Sequence, residues 1–224
     1  MEVLMRDFLL TICPYAIWGI AAAELLIAIM LLRLKKRPIV ICSVLVTFGL
    51  ILDAAIIGLG AFLPESVLAA ISPVRFVAHG ILIPLLFPIC GYALKLKKPV
   101  MVGVWVFTVL LMIAGAAEGI ATVLEPKKIA GVVRYASSEN TPGWADIISR
   151  ILSFGTVIPM MIAGIVVWVK QKTPHLFLSG FFMFAFSALG PATGNSDLIF
   201  FISMFGELLM VLFLYLYCRR RKQA

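Results

Sequence analysis

Long apolar runs separated by short polar turns make up most of this chain. A helix rises about 1.5 Å per residue, so roughly 20 apolar residues cross the ~30 Å hydrocarbon core of a bilayer. The pattern therefore predicts an all-α membrane protein in which residues 1–224 form one bundle of about seven transmembrane helices. The predicted spans are residues 9–33, 38–63, 69–95, 99–124, 144–169, 174–193 and 197–218.

The composition excludes a soluble domain of ordinary kind. The chain is 62% hydrophobic and only 13% charged, with a mean hydropathy of +1.10. Such a surface is solvated by lipid, and the lipid bilayer is the first expected partner. The net charge of +8 does not indicate nucleic-acid binding, because the basic residues lie in short turns between apolar runs.

The distribution of basic residues predicts an orientation. Lysine and arginine follow the first, third, fifth and last runs, and the acidic loop residues fall on the opposite side. Cytoplasmic turns carry such an excess of Lys and Arg. We therefore expect the amino terminus outside and the carboxyl terminus in the cytoplasm, in a multi-pass protein of the plasma membrane. The basic residues of these clusters are Arg33, Lys35, Lys36, Arg37, Lys95, Lys97, Lys98, Lys170, Lys172 and Arg219 to Lys222.

The longest loop, about residues 125–143, is predicted to lie outside. It contains Pro126, Pro142 and Gly143 among polar residues. A solvated connector is the commoner structure for this composition, and a cap over a binding cavity is the alternative.

Several ionisable residues fall well inside the predicted spans, away from the turns. Each costs about 2.5–3.5 kcal/mol in hydrocarbon by insertion scales, so those that persist usually face protein or water. Their depths predict a polar zone, deepest at the first and last of them, that opens towards the outside. They are our candidates for ligand binding or proton relay: Glu24, Asp53, Arg75, His79, Glu118, Arg150 and Glu207.

Opposite charges within this set are expected to pair, because pairing lowers the cost of burying each charge. Arg75 and Glu207 are predicted to share one interior network with His79 beside them. The alternative is that the pairs only hold helices together. The carboxylates available are Asp53, Glu118 and Glu207, and the cationic partners are Arg75, His79 and Arg150.

Glycine and proline indicate where helices approach or bend. Gly115 and Gly119 flank Glu118 at the spacing that lets two helix backbones come close. Pro84, Pro88 and Pro159 lie inside predicted spans and remove backbone donors, which predicts kinks.

The run Arg75-Phe-Val-Ala-His-Gly-Ile-Leu-Ile-Pro84-Leu-Leu resembles the third helix of the microbial rhodopsins. That family has an arginine, an aromatic residue and, nine positions after the arginine, proline-leucine-leucine. The resemblance implies seven spans with an outside amino terminus. It does not extend to retinal, which the family holds through a lysine in the last span, where this chain has Glu207. Ala78 stands at the position of the family's acidic proton acceptor, so neither retinal nor light-driven pumping is expected.

No cofactor or metal is predicted. Catalytic zinc usually takes three protein ligands, and only His79 with Asp53 and Glu207 offers such a set within the spans. A hydrogen-bonded core histidine is the commoner structure. The four cysteines lie in apolar runs without metal-site spacing and are read as packing residues: Cys13, Cys42, Cys90 and Cys218.

Three functions fit these residues. The first is a rhodopsin-like bundle without retinal whose outward-facing polar cavity binds or transports a small polar ligand or protons, as in transport or receptor proteins. The second is a membrane-embedded enzyme acting on lipid, although no catalytic motif at fixed spacing is present. The third is an assembly subunit whose intramembrane charges bind a partner helix. A non-enzymatic role is favoured, and the oligomeric state is not predicted.

Overall fold

A computed structural model of the protein describes residues 2–129, 131–192 and 196–220. These residues form helices, with one β-hairpin between the fifth and sixth of them. The helices are α1 (Glu2–Leu32), α2 (Pro38–Leu59), α3 (Glu65–Leu82), α4 (Leu86–Ala93), α5 (Lys98–Ala121), α6 (Gly143–Gln171), α7 (His175–Ala192) and α8 (Ser196–Arg220); the strands are β1 (Leu124–Ile129) and β2 (Val132–Ser137).

The helices confirm the architecture of a multi-pass helical membrane protein. Six described segments are long and apolar enough to cross a bilayer, and α7 contributes the shorter apolar segment His175–Ala188. Every span predicted from hydropathy overlaps one of these segments. The six are Thr11–Leu32, Pro38–Leu59, Glu65–Ala93, Lys98–Ala121, Gly143–Gln171 and Phe201–Arg220.

The third span is interrupted at Pro84. Helices α3 and α4 are joined by a single 3₁₀ turn, Ile83–Leu85, that contains this proline. Proline lacks the amide hydrogen that would continue the α-helical ladder, so the break has a local cause. Helix α6, in contrast, is continuous through Pro159. One of the proline sites expected to disturb a helix therefore coincides with a change of helix type.

The segment after α5 forms an antiparallel hairpin packed onto the bundle. Strand β1 pairs with β2 from Leu124 opposite Ser137 to Ile129 opposite Val132. The Val132 side chain is 1% exposed and packs with residues of α1, α2 and α8. The Val133 amide donates a hydrogen bond to the carbonyl oxygen of Gly60, 3.1 Å away. The all-α prediction therefore holds for the bundle and is wrong for this hairpin.

The opposite end of the bundle holds the basic turns. There the Gln171 side-chain nitrogen donates to the carbonyl oxygen of Ala93 over 2.8 Å, and the Tyr217 hydroxyl donates to the Gln171 side-chain oxygen over 3.2 Å. These bonds bring together the ends of α4, α6 and α8, beside Lys95, Lys172 and the last two residues of α8, Arg219 and Arg220. We call this the basic end and the other the hairpin end.

Glycine permits the closest helix contact in the bundle, between α3 and α5. A Cβ atom built on Gly80 would collide with the backbone of Gly115, and one built on Gly115 would collide with Gly80. A Cβ on Gly119 would lie 2.7 Å from the backbone nitrogen of Val77. The close approach predicted from the glycine spacing is confirmed.

Candidate functional site

A polar chamber of about 210 Å³ lies within the bundle towards the hairpin end. Its lining comes from α2, α3, α5, α6, α8 and β2, so the tertiary fold brings together charges that are far apart in sequence. Five of the seven predicted site residues line it. The lining residues are Asp53, Arg75, Phe76, His79, Glu118, Arg134, Ser149, Leu152, Ser153, Ser203, Met204 and Glu207.

Arg75 is held by three groups of the chain. Its Nε donates to Asp53 Oδ1 at 2.7 Å, and its Nη1 donates to the carbonyl oxygen of Tyr135 in β2 at 3.0 Å. Its guanidinium carbon lies 5.0 Å from the centre of the Phe76 ring. With side chains 9% and 13% exposed, Arg75 and Asp53 form a largely buried ion pair. Hydrogen bonds from a planar guanidinium to a carboxylate and a carbonyl fix its position.

Arg134 is a site residue that the sequence did not single out. It lies on β2 and lines the same chamber. Burial, followed by the charge of Arg75, lowers the pKa of Arg134 to about 10. It therefore remains a cation near neutral pH. The sequence analysis missed Arg134 because it treated this segment as a loop. The pairing of β2 with β1 orients the Arg134 side chain towards the chamber.

Glu118 occupies the α5 side of the chamber and is 6% exposed. The Thr122 hydroxyl donates to its Oε1 over 3.3 Å, and the Ser149 hydroxyl of α6 also interacts with its side chain. Glu118 thus has hydroxyl partners, and Arg150, one of the possible cationic partners, lies beside Asp146 instead.

A second cavity of about 340 Å³ adjoins the first and is lined mainly by apolar side chains; we call it the apolar cavity. The two cavities share His79, Ser153, Ser203 and Glu207. In the described parts of the chain, no hydrogen bond joins the side chain of His79 or Glu207 to another residue. These two groups therefore lie at the junction with their polar atoms available to an occupant.

The apolar cavity lies at the edge of the bundle, between α6 and α7. Phe154 and Phe184 line it and are 55% and 36% exposed. Nearer the basic end the same helices close up, since a Cβ on Gly164 would collide with Phe177. The cavity thus borders the surface that lipid covers in a membrane.

Two of the seven predicted site residues, Glu24 and Arg150, do not line the chamber. Glu24 is fully buried in α1, where neither carboxyl oxygen has a hydrogen-bond partner in the described chain, and it interacts electrostatically with Asp53 and Glu207. It therefore lies behind the chamber wall.

Arg150 lies outside the polar zone, which corrects the prediction that it belongs there. Its side chain is 78% exposed and its nitrogen is 4.0 Å from the Asp146 carboxylate. Ser149 and Ser153 face the chamber instead. One residue turns a helix by about 100°, so the neighbour of Ser149 points away.

No group of three or more His, Cys, Asp or Glu side chains in the described residues is placed to hold one metal ion. The four cysteines are buried, in keeping with their reading as packing residues. The candidate site is a polar chamber of hydrogen-bonding and charged side chains.

The fold and site define a multi-pass helical membrane protein with a charged chamber inside its bundle. No protein-family model matches the chain, and no curated protein matches its sequence.

Proposed function

We propose that the chain crosses the plasma membrane seven times, with the hairpin end outside and the basic end in the cytoplasm. The seventh span is α7, whose apolar part is His175–Ala188. The bias of Lys and Arg towards cytoplasmic turns supports this orientation, because the basic turns follow α1, α4 and α6 and Arg219 and Arg220 end α8.

Two single cysteine variants test the orientation. Glu139 is exposed in the loop after the hairpin, and Lys97 is exposed in a basic turn. The native cysteines are buried and give little background. A membrane-impermeant thiol reagent added to intact cells should label Glu139→Cys at once and Lys97→Cys only after permeabilisation. The reverse pattern would overturn the orientation.

We propose further that the polar chamber binds a small polar ligand or carries protons, as part of a transport or receptor function. The observation that carries this proposal is the pair His79 and Glu207, which line the chamber without a hydrogen bond to another described residue. Arg75 and Asp53 beside them are fixed by their own contacts. A rigid charged wall next to two available proton-exchanging groups suits reversible binding.

The binding proposal is tested on the purified protein in lipid nanodiscs. Methylammonium and acetate, one probe of each charge, are titrated while the unfolding temperature is recorded. A ligand at a hundred times its Kd stabilises the folded state by about 2.7 kcal/mol. The stabilisation by one probe should change in Glu207→Gln and persist in Glu125→Gln, which removes an exposed hairpin carboxylate.

The proton alternative is tested in liposomes that contain a pH-sensitive dye. A proton flux that Glu207→Gln reduces and Glu125→Gln does not would support it. If neither probe stabilises the protein and no flux depends on Glu207, the proposed function is wrong.

A further inference from the structure

The two cavities meet end to end and differ in chemistry. The polar chamber presents charged groups, and the apolar cavity presents side chains such as Leu50, Ile83 and Val157. Burying a polar group among apolar ones costs free energy unless the group is hydrogen-bonded. Removing apolar surface from water is favourable. An occupant of both cavities is therefore an amphiphile, with its polar head on the chamber side of the junction.

The carboxyl groups of the polar chamber favour a head that carries N–H donors and a positive charge. Three carboxyl groups line it against two guanidinium groups. Arg75 already contacts Asp53 and the Tyr135 carbonyl, and Arg134 also has an interaction within the chain. Glu207 lies at the junction, where it interacts electrostatically with both arginines but has no hydrogen bond to another described residue. A protonated amine supplies both the positive charge and the N–H donors that a carboxylate accepts.

The position of the apolar cavity indicates where the tail enters. Phe154 and Phe184 line the cavity and are themselves exposed on the lipid-facing side of α6 and α7. An apolar tail dissolved in the bilayer reaches this cavity without crossing water. The volume of about 340 Å³ is at the small end of the range for ligand pockets, which suits one tail rather than two.

We propose that the two cavities form one site for a membrane-dissolved, single-tailed amphiphile whose amine head contacts Glu207 and whose tail lies between α6 and α7. This inference rests on the proposed binding function and names the class of its ligand.

The test compares three straight-chain series of equal lengths, from hexyl to dodecyl: amines, alcohols and carboxylates. Binding to the protein in nanodiscs is measured by competition, and partition into protein-free nanodiscs gives the free aqueous concentration of each probe, to which every affinity is referred. Each methylene should tighten amine binding about fourfold until the cavity is full. At equal length the amine should bind about tenfold or more tightly than the alcohol, as expected for a hydrogen bond to a charged group.

Two variants test the recognition of the amine head and of the apolar tail separately. Glu207→Gln should remove the preference for amine over alcohol and keep the dependence on chain length. Ser187→Phe, which narrows the apolar cavity, should shorten the chain length at which affinity stops rising. Glu125→Gln is the matched control for the loss of a carboxylate and should match the wild type in both respects. Because the length series is also read in the wild type, the test does not depend on either variant folding.

The inference is overturned if carboxylates or alcohols bind as tightly as amines, or if the affinity referred to the free aqueous concentration is independent of chain length. In those cases a Glu207-dependent shift with methylammonium or acetate would leave the proposed function standing. Absence of that shift and of proton flux would remove the proposed function as well.

Discussion

Single side chains set the charge of the chamber, and Asp53 and Arg75 form its most firmly held pair. Their 2.7 Å contact is largely buried, and the Nη1 of the same guanidinium donates a hydrogen bond to the Tyr135 carbonyl oxygen. Removing one member of such a pair leaves the other charge buried without compensation. Arg75 and Glu207 also interact electrostatically, as part of a set that includes Asp53 and Glu24. Asp53 is the hydrogen-bonded partner of Arg75, and the energetic coupling of Arg75 with Glu207 stays a prediction.

A double-mutant cycle measures the Asp53 and Arg75 pair. We expect Arg75→Met and Asp53→Leu each to lower the free energy of unfolding in detergent by roughly 3–5 kcal/mol, and the double variant to cost less than their sum. Thermal or denaturant unfolding gives all four corners of the cycle.

The exposed pair Asp146 and Arg150 provides the matched control cycle. Its atoms are 4.0 Å apart with side chains 51% and 78% exposed. Surface pairs contribute about 0–1 kcal/mol. Equal coupling in the two cycles would show that the Asp53 and Arg75 pair is as solvated as the surface pair.

At the scale of elements, two contacts position the chamber. Helices α3 and α5 meet at Gly80 and Gly115 without intervening side chains, which places Arg75 and His79 on α3 beside Glu118 on α5. Strand β2 then covers the hairpin end, with Val132 buried in the bundle and the Tyr135 carbonyl bonded to Arg75. The position of the chamber therefore depends on the contact between α3 and α5 and on the hairpin that packs at the hairpin end.

Gly80→Ala tests the helix contact. The added methyl group collides with the backbone of Gly115, and overpacking of this kind costs about 1–3 kcal/mol. Gly103→Ala on α5 is the control, because a Cβ there meets nothing within 4 Å. It should be neutral or raise stability by up to about 1 kcal/mol, since alanine favours the helix. Equal unfolding temperatures for the two variants would contradict the close contact.

The membrane spans could be predicted from the sequence, whereas the hairpin could not. The spans could be predicted because the length of an apolar run is sufficient to identify a membrane helix. The hairpin could not, because Pro126, Lys127 and Lys128 are poor strand formers and β1 depends on pairing with a strand that the bundle holds. Arg134 was missed for that reason. Arg150 was misplaced because depth along a helix does not say which way a side chain points.

For the whole molecule, the two ends differ in charge and structure. At the basic end, side-chain hydrogen bonds join the ends of α4, α6 and α8. The charged chamber lies towards the hairpin end. The apolar cavity lies between the chamber and lipid. We therefore expect the proposed amphiphile to enter the apolar cavity from the bilayer.

Retinal should not form a covalent adduct with this bundle, although the run from Arg75 to Leu86 led us to expect a likeness to the third helix of the microbial rhodopsins. Their retinal is held by a lysine in the last span, and α8 has Glu207 and no lysine. Adding all-trans retinal to the purified protein should give no stable visible absorption band. A retinal adduct within a span that borohydride traps would contradict this expectation.

We propose that water outside the cell reaches the chamber, and the reaction rate of Ser149→Cys measures this access. Ser149 lines the chamber on α6, where carboxyl groups outnumber guanidinium groups. Impermeant thiol reagents of opposite charge are applied to intact cells and to inverted vesicles. We expect Ser149→Cys to react from the cell exterior only, and faster with the cationic reagent than with the anionic one. Reaction only in inverted vesicles, or none from either side in a protein that remains folded, would contradict an outward-facing chamber.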